Sequence, residues 1–392
     1  MNKAFVFAVC GDLEHIDTLH YALKILVPKT NCQVIVVTDS RRNAAPINHN
    51  YIVDIPTPDY FNHHQASIFL KTGLHKFLPK GNIYTYLDSD IIAFGSNIDD
   101  IFNQFIAPIR FAPDHCNMPL FSPSAVNCGC KEHYDSFIAK INIYMDELDP
   151  LRLSKDPLIT LKRDTLKKHL LQIVANKPKL LLHGLRYLSS WPVFKLNKEF
   201  YLNRKTNVWS TQNGDVIMTN IRGAKLAKQF NLRYNYLTMN IKFDNGKSIW
   251  VNSCFHLQDK IMSKFNVKIT NKYWQHWNGG VFIFNDKSHE FLENWHQFTL
   301  EIFKDPEWKT RDQGTLIATV WKFGLQNHPV LDKKWNFICD YNNHLLQIRN
   351  RDNAFTQDGN NYVAAEFLHV YHHFGDTNWP FWNTIEKLTH SD

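Results

Sequence analysis

The chain has 392 residues, 44% hydrophobic and 21% charged, the balance of a globular protein with a sizeable core. No apolar run approaches the ~18–20 residues that span a bilayer, and the opening MNKAFVFAVCGDLEH turns polar too soon for a signal peptide. The formal charge of +7 is uneven: between Arg152 and Lys205, thirteen Lys or Arg stand against three Asp or Glu. That stretch, 152–205, suits peripheral contact with an anionic membrane, or equally a solvated helical face. Few aromatics interleave it before Tyr187 and Trp191, which argues against nucleic acid. Seven cysteines, an odd number without secretory context, point to a reduced, cytoplasmic compartment, with the inner face of the membrane as the place of any docking.

In chain order, KAFVFAV (3–9), QVIVVT (33–38) and NIYTYL (82–87) are short apolar runs rich in β-branched and aromatic residues. They predict buried strands of a mostly parallel sheet. Ile16, Leu19, Leu23 and Leu26 repeat at helical spacing between the first two, and Ala66, Phe69, Leu70, Leu74 and Phe77 do so before the third. This βαβ alternation predicts an α/β fold, with ligands beyond the carboxyl ends of the strands. IRFAPD (109–114) is a further strand. Residues 114–272 read as an insertion holding the basic helical stretch and hairpin-like pieces near Gly214, Gly223 and Gly246. From 273, GGVFIFN (279–285) predicts a buried strand, Phe291 to Ile302 a helix, and Leu316, Val320 and Phe323 another helix entered through RDQG. NHPVLDKKWN (327–336) reads as a strand entering a loop, and the tail HVYHHFGDTNWPFW as an ordered loop. All 11 tryptophans lie between Trp191 and Trp382, so the two halves face different tasks.

Asp88 and Asp90 follow the buried run at 82–87. Buried carboxylates are costly unless paired or bound to metal, and hard divalent cations take carboxylate oxygens together with substrate phosphates. On a regular strand, residues two apart lie ~6.5 Å from each other, too far to share one ion at ligand distances of ~2.1 Å. The strand is therefore expected to end within YLDSDI, with a third ligand from elsewhere in the chain. A turn or cap built from Asp and Ser is the plainer alternative.

The segment FLKTGLHKFLPKGNIYTYLDSDIIAFGSNIDDIF resembles the DxD region of GT-A glycosyltransferases, particularly family 8, which includes glycogenin-like and lipopolysaccharide sugar transferases. WNGGVFIFN (277–285) resembles that family's Asn-x-Gly strand, RDQGTL (311–316) its Asp-Gln helix entry, and HHFGDTNWP (372–380) its His-x-x-Gly-x-x-Lys-Pro-Trp tail. The resemblance covers 1–113 and 273–392. It implies a Rossmann-like GT-A fold with a large insertion: a nucleotide- and metal-binding half at 1–113 and a sugar and acceptor half at 273–392. It implies a hexosyltransferase-like enzyme, retaining in stereochemistry, that moves sugar from a nucleoside-diphosphate donor, a UDP-sugar foremost, to a glycan or lipid-linked acceptor. Asp88, Asp90 and His372 would hold Mn²⁺ or Mg²⁺, His369 and His373 being rivals that lack Gly at the third following position. Asp312 and Gln313 would carry the sugar chemistry, although Asp312 also suits a helix cap. Ala8, Cys10, Asp12, Lys71, Asn278, Gly279, Gly375 and Asn378 would bind the donor.

The departure is Asn378, where the family's lysine would meet the departing diphosphate, and its loss favours the alternative of a non-catalytic sugar-nucleotide or glycan binder. A DxD nucleotidyltransferase would leave the Asp-Gln and histidine features unexplained. His115, Cys116, Cys128, Cys130 and His133 raise zinc, but Cys-x-Cys is tighter than the usual ligand gap, so free thiols are the expectation.

Overall fold

The computed structural model describes residues 2–235, 238, 240–343, 346–349, 354–356 and 362–389. The chain divides into two units, Met1–Cys128 with Ser253–Asp392, and Gly129–Asn252.

In the first unit, β1 (Lys3–Ala8) leads through α1 (Leu13–Lys29) to β2 (Gln33–Thr38) and β3 (Ile52–Asp54). Both β1 and β2 are buried at every position but the first, as strands covered on both faces must be. Helix α1 buries Ile16, Leu19, Leu23 and Leu26 on one face. Helix α2 (His63–Thr72) starts on a reciprocal cap between Asn62 and Gln65. It leads to β4 (Ile83–Leu87), the short β5 (Ile91–Ala93), β6 (Arg110–Asn117) and α3 (Met118–Ala125).

The second unit carries α4 (Cys130–Leu148), α5 (Pro157–Ala175) and α6 (Lys177–Ser189). An antiparallel sheet follows, made of β7 (Val193–Lys195), β8 (Phe200–Asn203), β9 (Val208–Thr211) and β10 (Val216–Thr219). Leu166 of α5 packs with Phe194, Phe200, Leu202, Trp209 and Ile217 in a small core of its own. This unit is narrower than the expected insertion at 114–272, because β6 and α3 on one side and α7 (His256–Phe265) on the other pack within the first unit.

The chain then supplies β11 (Gln275–Phe284), α8 (His289–Ile302), α9 (Asp312–Lys322), β12 (Phe337–Ile338), β13 (Phe367–His369) and α10 (Pro380–Thr389). The main sheet has the order β3-β2-β1-β4-β11-β6. Its first four strands are parallel, while β11 runs antiparallel to both β4 and β6. The sheet is therefore mixed: five of its six strands run one way, as a mostly parallel sheet requires, and β11 alone runs the other, since a continuously apolar run carries no signal of its direction. The strand expected over 327–336 does not form: Leu331 N–H gives one bond to Phe111, Pro329 has no N–H to give, and Lys333–Trp335 make a short 3₁₀ turn.

Helix α2 is held to α8 by a buried polar contact, His296 Nδ1 to Thr72 Oγ1 at 2.8 Å. Burial, then Lys76 and His75, lower the His296 pKa to about 4, opposed only by Glu293. With the folded value below the ordinary 6.5, the unfolded chain binds more protons between the two, so stability falls as pH drops from 6.5 toward 4. The thermal midpoint should decline across that window, and His296→Gln should flatten the decline; an unchanged slope would remove His296 as its cause.

Candidate active site

The strand β4 stops at Leu87, and Asp88–Ile91 form a turn closed by Ile91 N–H on the Asp88 carbonyl at 3.1 Å. The chain thus bends inside YLDSDI, as ion sharing requires. Two neighbours fix the bend: Asp88 N–H donates to the Gly280 carbonyl of β11 (2.9 Å), and Val370 N–H donates to the Asp90 carbonyl (3.0 Å). The second bond continues the pairing of β13 with β5, in which His369 lies opposite Ile91. A residue near the chain's far end is thereby delivered to the DSD turn.

That residue is His369. Asp88, Asp90 and His369 present ligand atoms within 4.8 Å of one another. Asp90 Oδ1 is buried without a hydrogen bond, its contact with His369 Nε2 being 3.5 Å, too long for a strong one. His369 Nδ1 sits 3.0 Å from Asn336 Oδ1. With that oxygen accepting, Nδ1 carries the proton and Nε2 turns toward the carboxylates, the orientation that outer partners impose on a ligating histidine. Two carboxylates, an imidazole and an orphaned carboxylate oxygen fit a divalent cation. His372, the candidate from the tail motif, lies three residues beyond β13, exposed, with its ring 4.3 Å from that of Tyr371. A strand end is anchored by its ladder, whereas His372 follows the end of that pairing.

The charges around the turn are arranged by Lys71. Its Nζ lies 2.8 Å from Asp312 Oδ2 and 3.1 Å from Asp88 Oδ1, and 5.2 Å from the Tyr86 ring centre. Burial opposes the ammonium, but Asp312 and Asp88 more than offset it and hold the Lys71 pKa above its ordinary value. Burial raises the Asp88 carboxyl, with Lys71 only partly opposing. Burial works against Asp90 too, yet the His369 imidazole prevails and holds its carboxyl low. Asp312 opens α9, but its side chain does not cap that helix; it pairs with Lys71 instead.

Close approach to this cluster requires the paired glycines of β11. A Cβ on Gly280 would stand 2.8 Å from Asn278 Oδ1, 2.8 Å from His369 Cε1 and 3.0 Å from Asp88 Oδ2. One on Gly279 would crowd Asp312 Oδ2 and Lys71 Nζ. Asn278 holds this stretch: its Oδ1 accepts from Gly280 N–H at 2.8 Å and its Nδ2 donates to Asp114 Oδ2 at 2.9 Å.

Asp114, the last residue of the expected strand IRFAPD, is a buried hub. Gln313 Nε2 reaches Asp114 Oδ2 at 3.0 Å, and His115 Nδ1 lies 3.1 Å from Asp114 Oδ1. Burial raises its pKa, but His115, His276 and Asn278 overcome this and hold the carboxyl well below the usual range. A cavity of about 370 Å³ opens over the site, lined by Asp12, His63, Lys71, Asp88, Asp90 and Asp312 among others.

No family model matches the sequence, and no curated protein matches it. Solved structures do. The chain is similar to galactosyltransferase LgtC in complex with donor and acceptor sugar analogues, at 9% identity over 99% of this chain and 95% of that one, with a TM-score of 0.42. It is similar to the bifunctional glycosyltransferase WbbM, at 9% identity over 99% and 51% of the two chains and 0.39. It is similar to mouse xyloside xylosyltransferase 1, at 11% identity over 97% and 99% and 0.37. All three are glycosyltransferases.

The remaining sequence candidates fall into four places. Ala8 and Asp12 line the cavity. Cys10 is buried behind it, its thiol 3.5 Å from Ser67 Oγ. Asn278 and Gln313 meet at Asp114 one layer below. Gly375, in the left-handed region at φ 77°, and the exposed Asn378, bonded to Asp376 Oδ1 at 2.9 Å, belong to the turn before α10. Only strand pairing distinguishes His369 among the tail histidines, and only the convergence of Asn278 and Gln313 marks Asp114; local sequence carries neither signal.

Proposed function

We propose that this chain is a metal-dependent GT-A glycosyltransferase that moves a sugar, with retention, from a nucleoside-diphosphate donor to an acceptor hydroxyl in glycan or surface-polysaccharide synthesis. The observation that supports it is the meeting of Asp88, Asp90 and His369 at a cavity that Lys71 and Asp312 also line. Asp88, Asp90 and His369 would hold the cation, and the imidazole favours Mn²⁺ over Mg²⁺. When bound, the cation neutralises the donor diphosphate and so improves it as a leaving group. Ala8 and Asp12, at the end of β1 and just beyond it, stand where a nucleoside binds in open α/β sheets. Lys71 pairs with Asp312 at the cavity wall; Asp114 orders Asn278 and Gln313 beneath. A thermal-shift screen of nucleotide sugars, UDP-sugars first, with and without Mn²⁺, is expected to single out one donor whose stabilisation requires the cation. Turnover with that donor separates an enzyme from a binding protein. Silence from every donor in both conditions would sink the reading.

A second element of the proposal is docking on an anionic membrane through 152–205. No helix among the described residues is long and apolar enough to cross a membrane. Yet Leu158, Leu161, Leu171, Leu181, Leu185 and Leu188 of α5 and α6, with Trp191 beyond, are all more than half exposed, beside Lys162, Lys167, Lys168, Lys177 and Lys179. Helix α6 has no buried residue. Exposed leucines and tryptophan amid lysines are what an interfacial helix presents to anionic lipid, each nearby cation contributing ~1 kcal/mol. Flotation with vesicles containing phosphatidylglycerol should carry the protein at low salt, and Leu181→Glu with Leu185→Glu should leave it behind. No flotation at low salt would end this part of the proposal.

A further inference from the structure

Cys128 closes the first unit's N-terminal segment and Cys254 follows the first residue of its return, Ser253, so the two bracket the whole second unit along the chain. Their sulfurs lie 3.8 Å apart. That is far beyond a disulfide bond of about 2.05 Å. It is the separation of two thiolates on one tetrahedral zinc, whose Zn–S bonds of about 2.3 Å place sulfurs roughly 3.8 Å apart. His256, two residues after Cys254, offers a ring nitrogen within 4.8 Å of both sulfurs.

We propose that Cys128, Cys254 and His256 form a structural zinc site. The site is independent of the glycosyltransferase reading and separate from the Asp88–Asp90–His369 cluster. The donor set is soft, two thiolates and an imidazole, which selects zinc over the hard cations that suit carboxylates. Cys130, one residue beyond Cys128's neighbour, places a further thiol on the same stretch of sequence.

The surroundings support thiolate ligation. Cys254 is buried, and its backbone N–H is fixed on the Pro119 carbonyl at 2.9 Å. Ser122 Oγ accepts from Leu257 N–H at 3.0 Å and lies 2.9 Å from Cys254 Sγ. With Cys254 a thiolate, the Ser122 hydroxyl is the donor to the sulfur. Donors to sulfur and fixed outer partners are how proteins orient metal ligands. Bound zinc would clamp the two places where the chain leaves and rejoins the first unit. From sequence alone the tight Cys-x-Cys spacing at 128–130 disfavours zinc; Cys254 and His256 come only after the second unit in chain order.

The test is elemental analysis of untagged protein purified from zinc-supplemented medium. One zinc per chain is expected, retained in Asp90→Ala and lost in Cys254→Ser. His256→Ala, at an exposed position, guards against a fold defect: it should retain the wild-type far-ultraviolet spectrum while losing zinc to chelator at least tenfold faster. Cobalt exchanged into the site should give the visible absorption of tetrahedral thiolate ligation, which the carboxylate cluster would not. Mass spectrometry of unreduced, alkylated protein decides the rival. A peptide joined through Cys128 and Cys254, or zinc-free wild-type protein with both thiols promptly alkylated, overturns the proposal.

Discussion

Asp90→Ala is expected to remove cation-dependent donor binding and to lower turnover on the order of a thousandfold, since metal stabilisation of departing charge is worth several kcal/mol. Asp90 is the stronger choice for the test because its Oδ1 has no hydrogen bond to lose, whereas Asp88 also accepts from Tyr86 and pairs with Lys71. Two companion variants locate the third ligand. His369→Ala should weaken Mn²⁺ binding at least tenfold by calorimetry, and Asn336→Ala, which frees the ring, by about 10–100-fold. His372→Ala should leave it near wild type. The reverse order, with His372 essential and His369 dispensable, would move the third ligand to the tail motif. Full turnover in Asp90→Ala, or in the presence of chelator, would refute the assignment of this turn as a metal site.

Lys71→Ala should have the largest effect on stability. The ammonium is buried between Asp312 and Asp88. Removing one partner of a buried ionic group costs about 3–5 kcal/mol, because the remaining charges stay buried and uncompensated. In a unit of this size that is a fall in thermal midpoint on the order of 10 °C. Its pH dependence has a definite sign. Burial already holds the Asp88 pKa above its ordinary value, and loss of Lys71 raises it further. A raised folded-state pKa costs stability above that value and none well below it. The gap between variant and wild type should therefore narrow as pH falls toward the ordinary carboxylate range. Mn²⁺ should also narrow it, by supplying positive charge beside Asp88. A gap that ignores both pH and cation would mean that Lys71 acts through packing alone, and Lys71→Met, which keeps the length of the side chain, would then restore stability.

The strands and helices of the first unit were legible because long apolar runs and helical repeats are local signals: β2 falls on 33–38 as expected, and the helices carrying Lys71 and Asp312 lie where their periodicity puts them. The bend inside YLDSDI followed from the reach of carboxylates around one ion. Strand direction was not legible, since the apolar run Val281–Phe284 of β11 would read alike in either orientation. The extent of the second unit was not legible either: β6 belongs to the main sheet only through its pairing with β11.

By itself, the sequence determined that Asp88 and Asp90 follow a buried strand, that Lys71 lies on the preceding helix, and that any ion the two carboxylates shared would call for a further ligand from elsewhere. Tertiary structure decided the rest. The β5–β13 ladder chose His369 from three tail histidines, because pairing opposite Ile91 sets it against Asp90. Close packing of β11 on the turn demanded Gly280, and the meeting of Asn278 and Gln313 made a hub of Asp114. Contacts between residues so far apart in sequence depend on which strands pair and in which register, and that is settled by the whole sheet rather than by any local stretch of chain.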